Sequence, residues 1–197
     1  MTNPNNTFLT PVGRIVGGSV YNKRRKNIDG DEMPEDQHHH VVMLALPKSD
    51  PGTKDLVNKA RQVARSGFDE SVINGQFSWK FYDGDKPEHS EKEGWPGHVV
   101  FAISDSNRFP CKVVGSDRRD IDPSTVKNGY WVRCAGDFKP NGKRGKPGIY
   151  CNLRGVQFIR KDEELGGSGD FGPTVEQMFP DAGFDVVSAA IDEDIPF

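Results

Sequence analysis

The stretch Gly148-Ile149-Tyr150-Cys151-Asn152-Leu153-Arg154-Gly155-Val156-Gln157-Phe158 carries the clearest fold signal in this chain of 197 residues. Its first half alternates apolar side chains with polar or aromatic ones, which is the period of a β-strand with one buried face. Beyond Gly155 the apolar positions continue out of phase, which predicts a β-bulge at this glycine. We therefore expect a long, bulged strand over Gly148–Arg160.

The preceding segment, Gly129–Lys139, is predicted to be the hairpin partner of this strand. The two are joined by residues 140–147, a run of Gly, Pro, Asn, Lys and Arg that is typical of a turn. A bulge or bend is expected at Gly17-Gly18. Five further strands are predicted where short apolar runs lie between clusters of Gly, Pro, Asp or Asn: Phe8–Tyr21, His38–Leu46, Gln76–Tyr82, Gly97–Ser104 and Phe109–Gly115.

One helix is expected, over Asp50–Ser66. Asp50 can cap its N-terminus, Pro51 suits the first helical position, and Gly67 ends it. Apolar residues recur at helical spacing on one face, which indicates packing on the core: Leu56, Val57, Ala60, Val63 and Ala64.

Together these elements predict an all-β fold, namely an oligonucleotide-binding (OB) fold-like closed β-barrel with one inserted α-helix. The 22 Gly and 14 Pro residues fit many short strands and turns. All 26 Lys and Arg residues precede Asp162, whereas ten of the 29 Asp and Glu residues follow Lys161. We therefore expect a basic domain over residues 1–161 and a disordered, acidic tail over residues 162–197.

Exposed rings beside cations suit an unstructured polyanion, because bases stack on the rings and phosphates pair with Lys and Arg. Trp131 and Arg133 share one side of their predicted strand, and Tyr150 and Arg154 share one side of the next. The predicted DNA-binding residues are Arg14, Trp79, Lys80, Tyr82, Trp95, Trp131, Arg133, Lys139, Lys143, Arg144, Lys146, Tyr150 and Arg154.

Three features leave alternatives open. The alternation over residues 77–82 puts three aromatic residues on one face, which favours the core for them and solvent for Lys80 and Tyr82, although the reverse would suit stacking better. Trp95, in Gly94-Trp95-Pro96-Gly97, suits stacking on a base and anchoring of a loop equally. The basic run Lys23-Arg24-Arg25-Lys26 begins a loop that either contacts phosphates or is simply solvated.

The last six residues, Asp192-Glu193-Asp194-Ile195-Pro196-Phe197, combine an acidic run with an apolar end. Chain ends are usually polar, so this one suits an apolar pocket rimmed by basic residues on another protein. It closely resembles the C-terminal tip of bacterial single-stranded DNA-binding proteins, which other replication and repair proteins bind. The resemblance implies that these six residues bind partner proteins.

A wider resemblance covers roughly residues 76–167. This region, with Asp83-Gly84-Asp85, Gly97–Asn107 and Asn152-Leu153-Arg154-Gly155, is similar to the single-stranded DNA-binding proteins of tailed phages. The resemblance implies an OB fold, a replication role in an infected bacterial cell, and an acidic tail that recruits partners and competes with DNA for the basic groove. The early helix and longer core depart from the bacterial relatives, so their tetramer is not carried over.

Signals for catalysis or metal binding are weak. No phosphate-binding loop, nucleophile elbow or zinc-protease motif occurs. His38 and His40 share a strand face, but no cysteine or carboxylate follows at metal-ligand spacing. Three aspartates between residues 117 and 122 lie in a turn-rich segment, which favours a solvated loop. We therefore expect no cofactor, no metal and no enzymatic activity.

The three cysteines, Cys111, Cys134 and Cys151, are widely spaced, which predicts reduced, packed thiols. No apolar run approaches the ~18 residues of a membrane span. The first residues lack the pattern of a signal peptide. We expect a protein with no membrane association, in the cytoplasm, and in that of the host bacterium if the chain is viral.

The predicted function is sequence-tolerant binding of single-stranded DNA. The protein would coat and protect exposed strands in phage DNA replication or recombination, and would recruit proteins through its tip. An RNA-binding OB protein is one alternative, because stacking on rings does not exclude RNA. Another is a protein-binding adaptor whose tip mimics that of the host single-stranded DNA-binding protein. A metal-dependent nuclease comes last.

Overall fold

The computed structural model describes residues 6–27, 30–142 and 147–166. The regular structure of these residues is mostly β. The strands are β1 (Thr7–Leu9), β2 (Gly13–Arg24), β3 (His39–Pro47), β4 (Phe81–Asp83), β5 (His98–Ser104), β6 (Lys112–Val114), β7 (Trp131–Asn141) and β8 (Gly148–Arg160). The helices are α1 (Pro51–Gly67) and α2 (Glu70–Ile73), and 3-10 turns occur at Glu35–Gln37 and Pro123–Thr125.

The β7–β8 hairpin follows the prediction and is antiparallel along its whole length. Two adjacent residues of β7 face Leu153 and Gly155, so Arg154 is the extra residue of a β-bulge. The bulge allows Leu153 and Val156 to be buried on the same side, although three positions separate them. The change of phase predicted at Gly155 is thereby confirmed.

The strands close into a ring in the order β7–β2–β3–β5–β8–β7. Neighbours in the ring are antiparallel except β5 and β8, which meet in parallel where Ser104 pairs with Asn152. Elsewhere residues 78–83 fill the space between these two strands, because Ser78 bridges to Gly148 of β8 while β4 pairs with β5. β1 pairs with β7 on the edge opposite β8, and β6 pairs in parallel with β8.

Two of the predicted strands are interrupted in the structure. The segment Phe8–Tyr21 is divided into β1 and β2, which pair with β7 one after the other. Pro11 lies at the break, where it has no N–H to donate. The segment Gln76–Tyr82 is not one strand, because Lys80 has a φ of 59° and β4 begins after it.

Helix α1 begins and packs as predicted. The Asp50 carboxylate accepts a hydrogen bond from the Gly52 N–H at 2.8 Å, and Pro51 is the first helical residue. The predicted stripe is buried except for Val57, which is half-buried. The short helix α2 was not predicted, so the inserted helical segment has two parts.

Aromatic rings form the centre of the core. Phe101 and Phe138 are fully buried. The ring of Phe81 stacks on that of Phe101 with centroids 4.5 Å apart, and the Phe8 ring lies 4.6 Å from that of Phe138. These contacts join β1, β4, β5 and β7 around one cluster of rings.

A second apolar cluster covers the opposite side of β3 and β5. Ala45 and Val100 alternate with core residues of these strands, so their side chains face away from the main core. They pack instead with Val16, Trp95 and Leu165. The Leu165 N–H donates to the Asn128 carbonyl at 3.2 Å. The described chain therefore remains in contact with the body beyond the predicted boundary at residue 161.

Replacement of Gly18 by alanine is expected to destabilise the protein more than replacement of Gly97. Their φ angles are 75° and 78°, so each alanine loses about 1–2 kcal/mol through its left-handed backbone. A Cβ at Gly18 would also lie 2.0 Å from the Val41 carbonyl oxygen of β3, whereas one at Gly97 meets no atom within 4 Å. Denaturant unfolding of both variants measures the difference, and equal losses would contradict the close pairing of β2 and β3.

Candidate nucleic-acid interface

The outer side of β8 presents a ring and a cation in succession. Tyr150, Asn152 and Arg154 alternate with buried residues, and the Tyr150 side chain is 41% exposed. Lys139 faces Tyr150 in the register of the β7–β8 hairpin and is also exposed. The structure therefore brings together three of the predicted DNA-binding residues.

The β5–β6 loop adds a second exposed ring beside this group. Phe109 is 54% exposed. The guanidinium groups of Arg108 and Arg154 lie 5.4 and 5.5 Å from its ring centroid. Such distances are those of cation–π contacts, which orient both cations around the ring.

Asp137 fixes the polar side chains of β8 from the neighbouring strand. Its carboxylate accepts hydrogen bonds from Arg154 Nε at 2.7 Å and from Asn152 Nδ2 at 2.8 Å. Asp137 is only 5% exposed, whereas the Arg154 side chain is 44% exposed. The buried carboxylate therefore holds one edge of the guanidinium and leaves its terminal N–H groups toward solvent.

Asp105 anchors both ends of the loop that carries Phe109. One carboxylate oxygen accepts the His40 N–H at 2.7 Å, and the other accepts the Cys111 N–H at 2.9 Å and lies 2.7 Å from His40 Nδ1. Burial opposes ionisation of this carboxyl, but the hydrogen bonds from His40 and Cys111 outweigh it, so the pKa of Asp105 lies below its ordinary value.

The end of β2 lies beside the same loop. Lys23 Nζ donates to Asn107 Oδ1 at 2.6 Å, and Tyr21 is 58% exposed. We define the Phe109–Tyr150 surface as these exposed rings and the cations beside them from β2, the β5–β6 loop, β7 and β8: Tyr21, Lys23, Arg108, Phe109, Lys139, Tyr150 and Arg154.

A model of the family described as "Enterobacter phage Enc34, ssDNA-binding protein" matches residues 24–181 of this chain. The chain belongs to the Enc34 single-stranded DNA-binding family. This membership confirms the predicted resemblance to phage single-stranded DNA-binding proteins. No match was found among the curated proteins.

Solved structures of two phage proteins share the fold of this Enc34-family chain. The single-stranded DNA-binding protein of bacteriophage Enc34, in complex with single-stranded DNA, is 16% identical, with a TM-score of 0.65 over 83% of this chain and 91% of that one. Gp2.5, a single-stranded DNA-binding protein encoded by bacteriophage T7, is 14% identical, with a TM-score of 0.57 over 82% of this chain and 90% of that one.

Four of the predicted DNA-binding residues lie outside the Phe109–Tyr150 surface of this Enc34-family chain: Trp79, Lys80, Tyr82 and Trp95. Trp95 is buried in the second apolar cluster, so the structure favours its anchoring role over stacking. The ring of Tyr82 is exposed beside that of Trp95. Trp79 packs against the core, and Lys80 is half-buried with its carbonyl accepting the Ala102 N–H.

Arg14, Trp131 and Arg133 are engaged by other parts of the protein. Arg14 donates to the carbonyl groups of Gly129 and Glu163, both at 2.9 Å. Trp131 Nε1 donates to the Asp162 carboxylate at 2.6 Å, and Arg133 Nε donates to the Thr10 carbonyl at 3.3 Å. Trp131 starts β7, so it lies at the opposite end of the hairpin from Lys139 and Tyr150.

Several predicted residues lie outside the described residues: Lys143, Arg144 and Lys146 of the β7–β8 turn, and Asp192, Glu193, Asp194, Ile195, Pro196 and Phe197 of the tip. Within the described ranges, no helix has the length and apolarity to cross a membrane.

Sequence reasoning missed Phe109 and its loop. Phe109 was assigned to a strand over Phe109–Gly115, whereas β6 begins at Lys112. The signal was Pro110, which cannot donate to a strand ladder and so indicates that the strand starts later. Arg108-Phe109-Pro110 would then have been read as a loop with a ring beside a cation.

A group of potential metal ligands that is close in space has no signature in the sequence. In the described part of the chain, potential ligand atoms of His40, Asp105 and Cys111 lie within 4.8 Å of one another. Their separation of up to 71 positions hides them from motif spacing. The Asp105 carboxylate is already hydrogen-bonded to both neighbours, so the group serves as a structural network. Burial, reinforced by Asp105, raises the pKa of Cys111 to about 12, so this thiol is protonated at neutral pH.

The turn at Asp83-Gly84-Asp85 is held by ion pairs with a lysine. Lys48 Nζ donates to both Asp83 and Asp85, so an ammonium group lies between the carboxylates of this turn. Cys134 and Cys151 are buried free thiols, as predicted, and burial raises the pKa of each.

Replacing Asp105 with asparagine is expected to remove an acid-sensitive part of the protein's stability. The folded-state pKa of Asp105 lies below the unfolded value of about 3.9, so its contribution is complete above about pH 5 and is lost as the pH falls through the folded-state pKa. The difference in free energy of unfolding between wild type and Asp105→Asn should therefore shrink on acidification. Urea unfolding from about pH 6 down to about pH 3 measures it. A difference that stays constant would contradict the anchoring role.

Proposed function

We propose that this protein binds single-stranded DNA with little sequence preference, through the Phe109–Tyr150 surface, and is not an enzyme. The observation that carries the proposal is the grouping of two exposed rings with Arg108, Lys139 and Arg154 on one side of the sheet. Rings stack on bases of any identity, at roughly 1–3 kcal/mol per base, and cations follow the phosphates. The proposal is supported by membership of a family described as single-stranded DNA-binding.

We further propose that the ring of strands is an OB-fold barrel. In OB folds the face of strands two and three, with the loops joining strands one to two and four to five, binds oligonucleotides. Counting β2, β3, β5, β7 and β8 as the five strands, these loops are residues 25–38 and 142–147. The second connection is rich in Lys and Arg, whereas the first begins with Arg25 and Lys26 and then carries five acidic residues. The Phe109–Tyr150 surface contains Tyr21 and Lys23, just before the first connection, and Lys139, just before the second.

We propose a biological role in which the domain binds DNA and the acidic C-terminal residues bind partner proteins. The protein would coat exposed strands during phage DNA replication or recombination in the host cytoplasm. The acidic C-terminal residues would occupy the basic surface when DNA is absent and would bind partner proteins when DNA displaces them. Residues 162–165 contact the body, so we assign them to the domain and not to the acidic tail.

The test is a fluorescence-anisotropy titration of labelled oligo-dT with the full chain and with a version that ends at Ala190, each at two salt concentrations. We expect affinity to fall with salt by about 0.7 in log–log slope for each phosphate contacted. Truncation should leave binding intact or tighter, because a competing anion is removed. Salt-independent binding would contradict a phosphate-binding surface, and clearly weaker binding on truncation would contradict competition by the tip.

Two arms of this experiment separate the alternatives. Competition by an RNA strand of equal length distinguishes a DNA-binding from an RNA-binding protein. Absence of binding to either strand would contradict the proposed function. It would favour the alternative of a protein-binding adaptor, in which the C-terminal tip binds partner proteins and the domain binds no nucleic acid.

A further inference from the structure

A small cavity of about 240 Å³ on the Phe109–Tyr150 surface is lined by two of its three exposed rings, Phe109 and Tyr150. Its lining includes Phe109, Tyr150 and Leu153 as apolar groups and Lys139, Asn152 and Arg154 as polar ones. Asp105 and Ser106 complete the lining, but the Asp105 side chain is only 1% exposed and its carboxylate already accepts hydrogen bonds from His40 and Cys111. Ser106 Oγ accepts the Phe109 N–H at 3.3 Å, which leaves its O–H as a further donor. We propose that this cavity binds a single base of the bound strand, with thymine preferred. The inference rests on the proposed function, and it adds one base-selective position to a surface that is otherwise sequence-tolerant.

The size and walls of the cavity suit one planar ring. Cavities for drug-sized ligands measure about 300–1,000 Å³, so this one fits a smaller group. Phe109 and Tyr150 come from different elements, the β5–β6 loop and β8, and both are about half exposed without a bound strand. A base that enters between them would cover apolar area on both rings.

The polar groups are fixed before any ligand arrives. Asp137 accepts hydrogen bonds from Arg154 Nε and Asn152 Nδ2, which leaves the terminal N–H groups of Arg154 as donors and the Asn152 carbonyl oxygen as an acceptor. Lys139 supplies a further donor. The cavity therefore offers hydrogen-bond donors from Arg154 and Lys139 around one acceptor, the side-chain oxygen of Asn152. Because Arg154 and Asn152 are already held by Asp137, ordering them on binding costs little free energy.

Thymine matches this pattern better than adenine or cytosine. Its two carbonyl oxygens accept hydrogen bonds on either side of the N3–H donor, whereas adenine and cytosine each carry an amino group that donates. An amino group turned toward Arg154 and Lys139 would place donors against donors. The two-ring purines are also larger, so the small cavity favours the single-ring base.

The cavity also has a rigid frame. The loop that carries Phe109 is held at both ends by Asp105, and Lys23 donates to Asn107 in its middle. A base pocket needs such a frame, because a mobile ring would stack on any base in any position. The anchoring contacts thus separate a defined pocket from a general stacking platform.

The experiment first finds the shortest oligo-dT that retains full affinity for the full chain, so that sliding of the strand would sacrifice phosphate contacts. Each thymidine in it is then replaced singly by an abasic site, and separately by adenosine and cytidine. We expect one position at which the abasic strand binds roughly tenfold to a hundredfold more weakly. Deoxyadenosine and deoxycytidine at that position should bind more weakly than thymidine.

Variants connect that position with the cavity. In Phe109→Ala, an abasic site at that position should no longer weaken binding more than one elsewhere, whereas in Phe109→Trp it should. Arg61→Ala, on the exposed face of α1, should show the same dependence of affinity on position as the wild type. The pocket would be overturned if every substituted position lost a small and equal amount of affinity. It would also be overturned if the sensitive position persisted in Phe109→Ala. Either result would leave the proposed function intact. No binding of any strand would instead overturn the proposed function itself.

Discussion

Replacement of Arg154 by alanine is expected to weaken binding of oligo-dT by roughly tenfold or more at low salt and to lower the free energy of unfolding by about 1–3 kcal/mol. Two effects add for DNA. The variant loses a cation that also lies against the Phe109 ring, and it leaves the Asp137 carboxylate unpaired on that side. The unpaired negative charge would repel phosphates. Anisotropy titrations and urea unfolding measure the two losses separately.

Matched variants identify the cause of each loss. Arg61→Ala removes a cation from α1 and should change neither affinity nor stability appreciably. The double variant Arg154→Ala/Asp137→Asn should recover stability, because the buried charge is gone, but should recover only part of the affinity. An Arg154→Ala protein that binds oligo-dT with the affinity and salt dependence of Arg61→Ala would contradict the assigned surface.

Replacement of Phe101 by alanine is expected to lower the free energy of unfolding by about 3–5 kcal/mol. The ring is fully buried and contacts three others, with centroids 5.5 Å from Phe8, 4.5 Å from Phe81 and 6.0 Å from Phe138. Its removal leaves a cavity where β1, β4, β5 and β7 meet. Urea unfolding measures the loss through the shift of the midpoint.

Phe109→Ala is the control for this prediction. Its ring is 54% exposed, so the expected change in the free energy of unfolding is within about 0.5 kcal/mol. The two variants should therefore separate folding from binding: Phe101→Ala loses stability, and Phe109→Ala loses affinity for oligo-dT. A Phe109→Ala protein that is as unstable as Phe101→Ala would show that the loop belongs to the core.

The hairpin was predictable because its information is local. Alternation over residues 149–153 predicts which side chains face outward, and Gly155 predicts the bulge. Local sequence alone therefore places Tyr150 and Arg154 on one surface. The same reasoning placed Trp131 on the outer side of β7. It did not show that Trp131 lies at the end of the hairpin away from Lys139 and Tyr150. Alternation predicts the face on which a side chain lies but not how close it is to residues on the same face.

The remaining part of the site depends on contacts between distant segments. The Phe109 loop is held by Asp105, which bonds to His40 from 65 positions earlier. Trp95 is buried because Leu165 and the outer side of β2, β3 and β5 cover it. No local pattern in either loop encodes these partners. Composition could show that rings and cations are abundant, but only the closed ring of strands shows which of them share a surface.

Photocrosslinking tests the central claim most directly. Oligo-dT that carries photoreactive iodouracil bases is bound to the full chain and irradiated, and the crosslinked residues are identified by mass spectrometry. We predict crosslinks at Phe109 and Tyr150. Crosslinks confined to Trp131, Tyr82 or the exposed face of α1 would contradict the assignment of the Phe109–Tyr150 surface as the binding site for single-stranded DNA.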